Sequence, residues 1–313
     1  MERWFSRFVF CFVHMGAVYS LLGHHLLSQD VGAELLLTEE RVIDIPLEFP
    51  LTAVTISDDG SALYWSGSAR TVILHTAESV TILCPGALEE PVAAAFDPLD
   101  LLQIEIVDAG RSAIVTVSAD GGCDHRTDLS GIGRLVGGAR TGVGWVLARL
   151  DSLGVPTIVG LDSAGHLLWT KTSDGDLGNP LTVRSAHIIA WESGTVLSSM
   201  VWPFRWLSLD RQGKAIVTGA FEQVRALEER RSLAEWVGLP VLPIDSGYVQ
   251  TLADPRSDAR VLVLYKPDGA LRRQRQLLGP IGLVASNILS RRVVALRRSD
   301  RLELIMYQWR WQN

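Results

Sequence analysis

Seven histidines, three cysteines and a scatter of carboxylates are the residues of this 313-residue chain with the most reactive chemistry, and their spacing limits what they can do. The histidines are His14, His24, His25, His75, His125, His166 and His187. None falls in the H-x-x-x-H or H-E-x-x-H spacing that sets two imidazoles on one helix face, so no zinc site is expected. Cys11, Cys84 and Cys123 lack the C-x-x-C spacing of a zinc ribbon, and three cysteines are too few for a disulfide framework. Cys84 and Cys123 can approach one another, but two buried free thiols are the expected state. No G-x-S-x-G nucleophile elbow is present. The glycines Gly131, Gly133, Gly137, Gly138, Gly142 and Gly144 are spaced G-x-G-x-x-x-G at their start, with no helix-forming run behind them. They read as a flexible inter-blade loop running into the innermost strand of the third blade, not as a phosphate cradle. No cofactor is expected.

The elements that position these residues repeat along the chain. A β-rich run, a tight polar turn and a second β-rich run recur as TVILHT-AES-VTIL, SAIVTV-SADG-G, PTIVGL-DSAG-HLLWT, RWLSL-DRQG-KAIVT and RVLVLY-KPDG-ALRRQ. The turn residues Ser79, Gly121, Gly165, Gly213 and Gly269 lie 42, 44, 48 and 56 residues apart, the period of a four-stranded propeller blade. Counting strands gives an all-β, six-bladed β-propeller over 34–313. Its last blade supplies three strands, and an N-terminal strand from ELLL and RVIDIPLEF is expected to complete it, leaving no open edge. Between 221 and 236, FEQVRALEERRSLAEW changes to helical spacing and predicts a helical insertion between the fourth and fifth blades.

Placed on such a ring, a few residues become candidates for function. His187 and Glu192 flank the innermost strand of the fourth blade, where strand ends line the axial channel, and are the catalytic candidates. An enzyme site built from scattered channel residues would also draw on Asp58, Asp97 and Asp245. Trp202 and Trp206, in VWPFRW, read either as blade packing or as an exposed aromatic platform for a sugar or peptide. Trp65, Trp145, Trp169 and Trp191 read as wedges between blades. Residues 260–313 hold eleven Lys/Arg against three acids, a local +8 within a chain of net −6. This basic sector, with Arg273 and Arg275 on an outer strand, reads as solvated outer-strand charge or as a docking surface for an anionic partner. Nucleic acid is not the expected partner, because the arginine-rich strands carry no interleaved exposed aromatics.

The first 33 residues stand apart. Arg3 and Arg7 precede an almost uncharged run at 8–23, and Val31-Gly32-Ala33 offers small residues for cleavage. The segment reads as a secretory signal, with an uncleaved membrane anchor through 8–23 as the alternative, and places the mature chain in the periplasm or outside the cell.

Repeats, D-x-x-G turns and the N-terminal closing strand together resemble the six-bladed propellers of the NHL and TolB-like group, over roughly 42–313. The resemblance is one of architecture. It implies a sensor or scaffold domain that binds a peptide, protein, sugar or RNA, or else a lactonase or lyase. Gluconolactonase-like members hold a divalent metal in the channel through Glu, Asn and Asp, a set that has no clear match in this chain. The expected function is a non-catalytic, exported propeller that binds a protein, peptide or small ligand on one face of the ring; the alternative is a lactonase- or lyase-type enzyme with a channel site.

Overall fold

A computed structural model describes residues 34–46, 49–97, 103–118, 120–151, 156–172, 186–191, 194–200, 204–221, 236–277, 280–298 and 300–312. The leader expected over 1–33 and residues 222–235, which make up most of the expected helical insertion, lie outside them. Thr38–Gln308 forms one compact unit, and residues 34–37 and 309–312 belong to a second, small one.

The strands group into six antiparallel sheets that follow one another along the chain. The N-terminal strand is β1 (Glu34–Ile45). Blade one holds β2 (Ala53–Ile56), β3 (Ala62–Ser66), β4 (Thr71–His75) and β5 (Val80–Leu83). Blade two holds β6 (Pro91–Phe96), β7 (Ile104–Asp108), β8 (Ala113–Val117) and β9 (Cys123–Asp128). Blade three holds β10 (Arg134–Thr141), β11 (Gly144–Leu150), β12 (Pro156–Asp162) and β13 (Leu167–Thr172). Blade four holds β14 (Ala186–Trp191), β15 (Gly194–Ser199), β16 (Phe204–Asp210) and β17 (Ala215–Phe221). Blade five has its inner position split between β18 (Val237–Gly238) and β19 (Leu242–Ile244), both paired to β20 (Gly247–Ala253), followed by β21 (Arg260–Tyr265) and β22 (Leu271–Leu277). Blade six holds β23 (Ile281–Asn287), β24 (Arg292–Arg298) and β25 (Leu302–Gln312), with β1 as its outermost strand.

Sequence pattern follows position within a blade. Second strands are covered on both sides, so β3, β7 and β15 are buried at every residue; β3 reads as a nearly continuous apolar run, while β7 and β15 interleave apolar residues with buried polar ones. Outermost strands face solvent and alternate or turn wholly polar, as in β9 (CDHRTD) and β13 (LLWTKT). The core is accordingly a series of inter-blade layers. Leu63, Trp65 and Val72 of blade one pack on Ala94, Ile106 and Val115 of blade two. Ala93, Val107 and Ile114 of blade two pack on Trp145, Leu147 and Val159 of blade three. The same layering joins blades three and four, four and five, and six and one.

Ring closure joins charge to packing. Ile43 and Ile45 of β1 enter the layer between blades six and one. Glu40 accepts from Arg292 at 2.7 Å, Asp44 lies 3.8 Å from Arg301, and Arg41 reaches the other way to blade one, donating to His75 Nδ1 at 2.7 Å and to the Thr76 carbonyl. The N-terminal strand is thus an acidic strip with one arginine, laid on the blade that carries much of the basic sector.

The cysteines correct the sequence reading. Cys84, just after β5, and Cys123, opening β9, are joined in a disulfide with Cα atoms 5.2 Å apart. The Cys84 N–H donates to the Gly121 carbonyl at 2.8 Å, and this bond between the end of blade one and the last hairpin of blade two brings the two sulfurs within reach. The two thiols are therefore not free. The sequence allowed the two to approach but not the bond itself, because the register between neighbouring blades is set by packing across the layer.

Candidate functional site

The inner strands β2, β6, β10, β14 and β23, with the start of blade five, enclose an axial cavity of about 940 Å3. All six blades run outward from an inner strand, so these strands share one direction and the channel has an entry end, where they begin, and an exit end. Two cross-blade contacts bear this out. Asn287, ending β23, donates to Asp58 just past β2 at 2.8 Å, while His187, near the start of β14, sits 3.3 Å from the carbonyl of Gly238, ahead of β19.

Charge collects at the exit end. Arg140, near the end of β10, is clamped between two carboxylates: its Nη2 lies 3.2 Å from Asp97 Oδ2 and its Nε 2.8 Å from Glu105 Oε2. The second Glu105 contact is the Trp145 indole, which donates to the same oxygen at 2.7 Å. The side chains of Arg140, Asp97 and Glu105 are all nine-tenths buried or nearly so. Two acids on one guanidinium inside the protein are tolerated because both carboxylates are hydrogen-bonded, and removing any member would strand a buried charge. Asp245 is paired with Arg291 at 3.5 Å.

Among the described residues, no charged side chain lines the middle or the entry end, where aliphatic residues stand beside Thr52, Thr55 and His187. Val54, Ala94, Val136, Ile188, Ile189, Val284 and Ala285 line them. Gly137 and Gly138 on β10 present backbone in place of side chains. A Cβ built on Gly137 would meet nothing within 4 Å, so the wall is open at that point. Trp65 lines the cavity while only 5% exposed, and its indole nitrogen is sealed within the protein with no acceptor among the described residues. His187 lines it too, with its pKa pushed down to about 4 because burial penalises the imidazolium more than the Gly238 carbonyl favours it. The ring is neutral at ordinary pH. With Nε2–H directed at Gly238, its Nδ1 is an acceptor.

The structure separates the residues that sequence reasoning had grouped. His187 sits at the entry end and Asp58, Asp97 and Asp245 follow the exit ends of their strands, so the imidazole and these carboxylates do not form one constellation. Glu192 and Trp202 lie outside the described residues. Trp206 is 1% exposed, with its ring 4.4 Å from that of Tyr248 and 5.2 Å from that of Tyr265, so it is a wedge between blades four and five and not a surface platform. Trp145 is a buried wedge as expected, between blades two and three. Arg273 and Arg275 stand on β22, the outermost strand of blade five, opposite Leu264 and Leu262. Of the basic sector, Arg291, Arg292, Arg297 and Arg301 each pair with an acid. Among the described residues no group of three or more His, Cys, Asp or Glu side chains is arranged to hold a metal ion.

Three features escaped the sequence reading: the Arg140 clamp, the unpartnered Trp65 and the bare backbone at Gly137. A signal existed for the first, since the buried strand IEIVD carries Glu105 and Asp108, and a charge buried there requires a partner.

No family model and no curated protein matches the chain. Solved structures do. A member of the DUF4221 family from Bacteroides vulgatus is similar at TM-score 0.56 and 10% identity, over 90% of this chain and 99% of that one. A protein from Bacteroides fragilis whose name describes it as exported matches at TM-score 0.56 and 9% identity, over 93% and 98%. A catalytically inactive virginiamycin B lyase from Staphylococcus aureus, solved with quinupristin, matches at TM-score 0.53 and 9% identity, over 83% and 81%. At such identities the likeness is one of fold, and it agrees with the strand order: the chain is a six-bladed β-propeller whose N-terminal strand completes its last blade.

Proposed function

We propose that the chain is an exported, non-catalytic propeller that takes its ligand into the axial channel through one face of the ring. The observation that carries this is the cavity itself. Its volume of about 940 Å3 is within the range of ligand pockets, and its wall mixes aliphatic side chains with polar ones placed by the strand ends. Export is supported by the Cys84–Cys123 disulfide, since such bonds persist in oxidising compartments, and by the order of basic, apolar and small residues in the first 33 positions. The exported name of one fold neighbour points the same way.

A lactonase- or lyase-type channel enzyme gains less support. Each described carboxylate it would draw on is already engaged, Asp97 with Arg140, Asp245 with Arg291, and Asp58 with Asn287. The test uses native mass spectrometry of the protein recovered from an exporting host. A bound mass that disappears in Gly137→Leu, a variant that plugs the channel at its open point, is the expected result. Identical spectra for the two proteins, with no ligand found by subsequent library titration, would sink the reading.

A further inference from the structure

Ring closure brings a guanidinium against an imidazole. Arg41 leaves β1, the outermost strand of blade six, and crosses to His75, the last residue of β4 in blade one. Its Nη2 donates one hydrogen to His75 Nδ1 at 2.7 Å and the other to the Thr76 carbonyl. A ring nitrogen that accepts from a guanidinium carries no proton, so this contact requires the neutral imidazole with its hydrogen on Nε2. His75 Nδ1 also lies 3.0 Å from the Thr76 carbonyl, the acceptor that Arg41 already uses. One carbonyl thus stands within reach of both groups, and Nδ1 can donate to it only after losing its bond from Arg41.

The surroundings do little to offset a positive charge on the ring. β3 sets Ala62 opposite His75, and β5 sets Val80 there. The hairpin that follows carries Glu78, exposed at the turn, whose N–H donates to Thr76 Oγ1. On β1, Glu40 is taken up by Arg292 at 2.7 Å, and Asp44 lies 3.8 Å from Arg301. Among the described residues, Arg41 is the charged group that acts on the imidazole. Burial first, and then Arg41, hold the ring's pKa below the ordinary 6.5 against the Thr76 carbonyl, which favours the proton.

We infer that Arg41 and His75 form an acid-released latch on the ring: a proton from solvent on the imidazole hands the Thr76 carbonyl from Arg41 to His75 Nδ1–H, sets two cations side by side, and frees β1 from Thr38 to Arg41. The neutral ring is the latched one, so the contact is complete above pH 6.5 and is lost as the pH falls below it. Further along the same strand, Ile43 and Ile45 are buried between blades six and one, and apolar burial keeps that part docked at either pH. Release uncovers the outer edge of β25, the sheet edge that β1 covers. The bistable element is one strand end, biased by one proton.

The test is hydrogen–deuterium exchange of the whole protein at about pH 7.5 and about pH 5, the range in which an imidazole changes charge, read by mass spectrometry on peptides covering 38–45. Rates are corrected for the intrinsic pH dependence of exchange. Opening of this segment is expected to rise roughly tenfold at the lower pH, the factor carried by one hydrogen bond to a charged group. His75→Asn keeps an acceptor near the Nδ1 position and takes up no proton in this range, so its opening should be low and equal at both values. Arg41→Met removes the other partner and should leave the segment equally open at both. Peptides from the buried β7 should stay protected throughout, which separates strand release from unfolding. Equal opening of the parent at the two values overturns the latch. So does a rise that persists undiminished in either variant, which would assign the effect to the carboxylates of Glu40 and Asp44.

Discussion

Replacing both Cys84 and Cys123 by serine tests the clearest departure of the structure from the sequence reading. The bond joins residues 39 apart and so closes a loop of about 40 residues in the unfolded chain. In the chain-entropy treatment this removes roughly 13 cal/mol/K from the denatured ensemble, or about 4 kcal/mol at 25 °C. A ring of roughly 280 residues unfolds with an entropy near 590 cal/mol/K at its midpoint, so the expected fall in Tm is about 7 °C. Cys84 is 2% exposed and packed among Leu83, Leu88 and Val117, so the double serine variant should lose somewhat more than reduction of the parent. Calorimetric melts of parent, reduced parent and variant make the comparison. Alkylation in denaturant without reductant should leave residues 84 and 123 unlabelled in the parent. Labelling of both thiols in protein from an exporting host, or a variant melting within about 1 °C of the parent, would refute the reasoning.

Four further perturbations follow from the packing and charge. His187 has a folded pKa of about 4 against an ordinary 6.5, so the folded state binds fewer protons than the unfolded one between these values. Its contribution is therefore full above pH 6.5 and is lost as pH falls toward 4, about 3 kcal/mol in all, and His187→Asn should flatten that part of a pH–stability curve. The His75 pKa is also lowered, by burial first and then by Arg41, and it acts in the same direction, so the two variants should be compared. Glu40→Lys sets like charge against Arg292 and should cost about 1 kcal/mol, read as faster proteolysis of the N-terminal strand; pairing it with Arg292→Glu should restore protection. Gly219 lies under Trp206, where a Cβ would come within 2.3 Å of the indole, so Gly219→Ala should cost about 1–3 kcal/mol by overpacking. Gly137→Ala, with open space at its Cβ, should leave denaturant midpoints unchanged or raised.

The fold was legible because a blade imposes two independent rhythms, a turn every 42 to 56 residues and a burial gradient across four strands. The D-x-x-G turns mark the first rhythm physically. Asp162 accepts from the N–H groups of Ala164 and His166, and Asp210 does the same for Gln212 and Lys214, so each hairpin is written in one short local motif. The gradient explains why β3 and β7 are buried at every residue while β9 is exposed along nearly all its length. Both signals are local, and local signals survive in a single sequence.

What was not legible is what depends on relations between blades. Arg140 meets Glu105 and Asp97 from 35 and 43 positions away, Cys84 meets Cys123 across 39, and Glu40 meets Arg292 across 252. No spacing rule connects such pairs, because the offset between neighbouring blades depends on the length of every intervening loop. The same holds for the channel. His187 and Asp97 both belong to inner strands or their ends, and only strand direction shows that one stands at the entry and the other at the exit. A propeller therefore announces its architecture through repetition and keeps its site in what does not repeat. In this chain those departures are two glycines where other inner strands carry side chains, an indole without an acceptor, and a guanidinium held between two acids. Each arises where one blade departs from its neighbours, and the third fixes charge at the exit mouth of the channel, where Arg140 is held by Asp97 and Glu105.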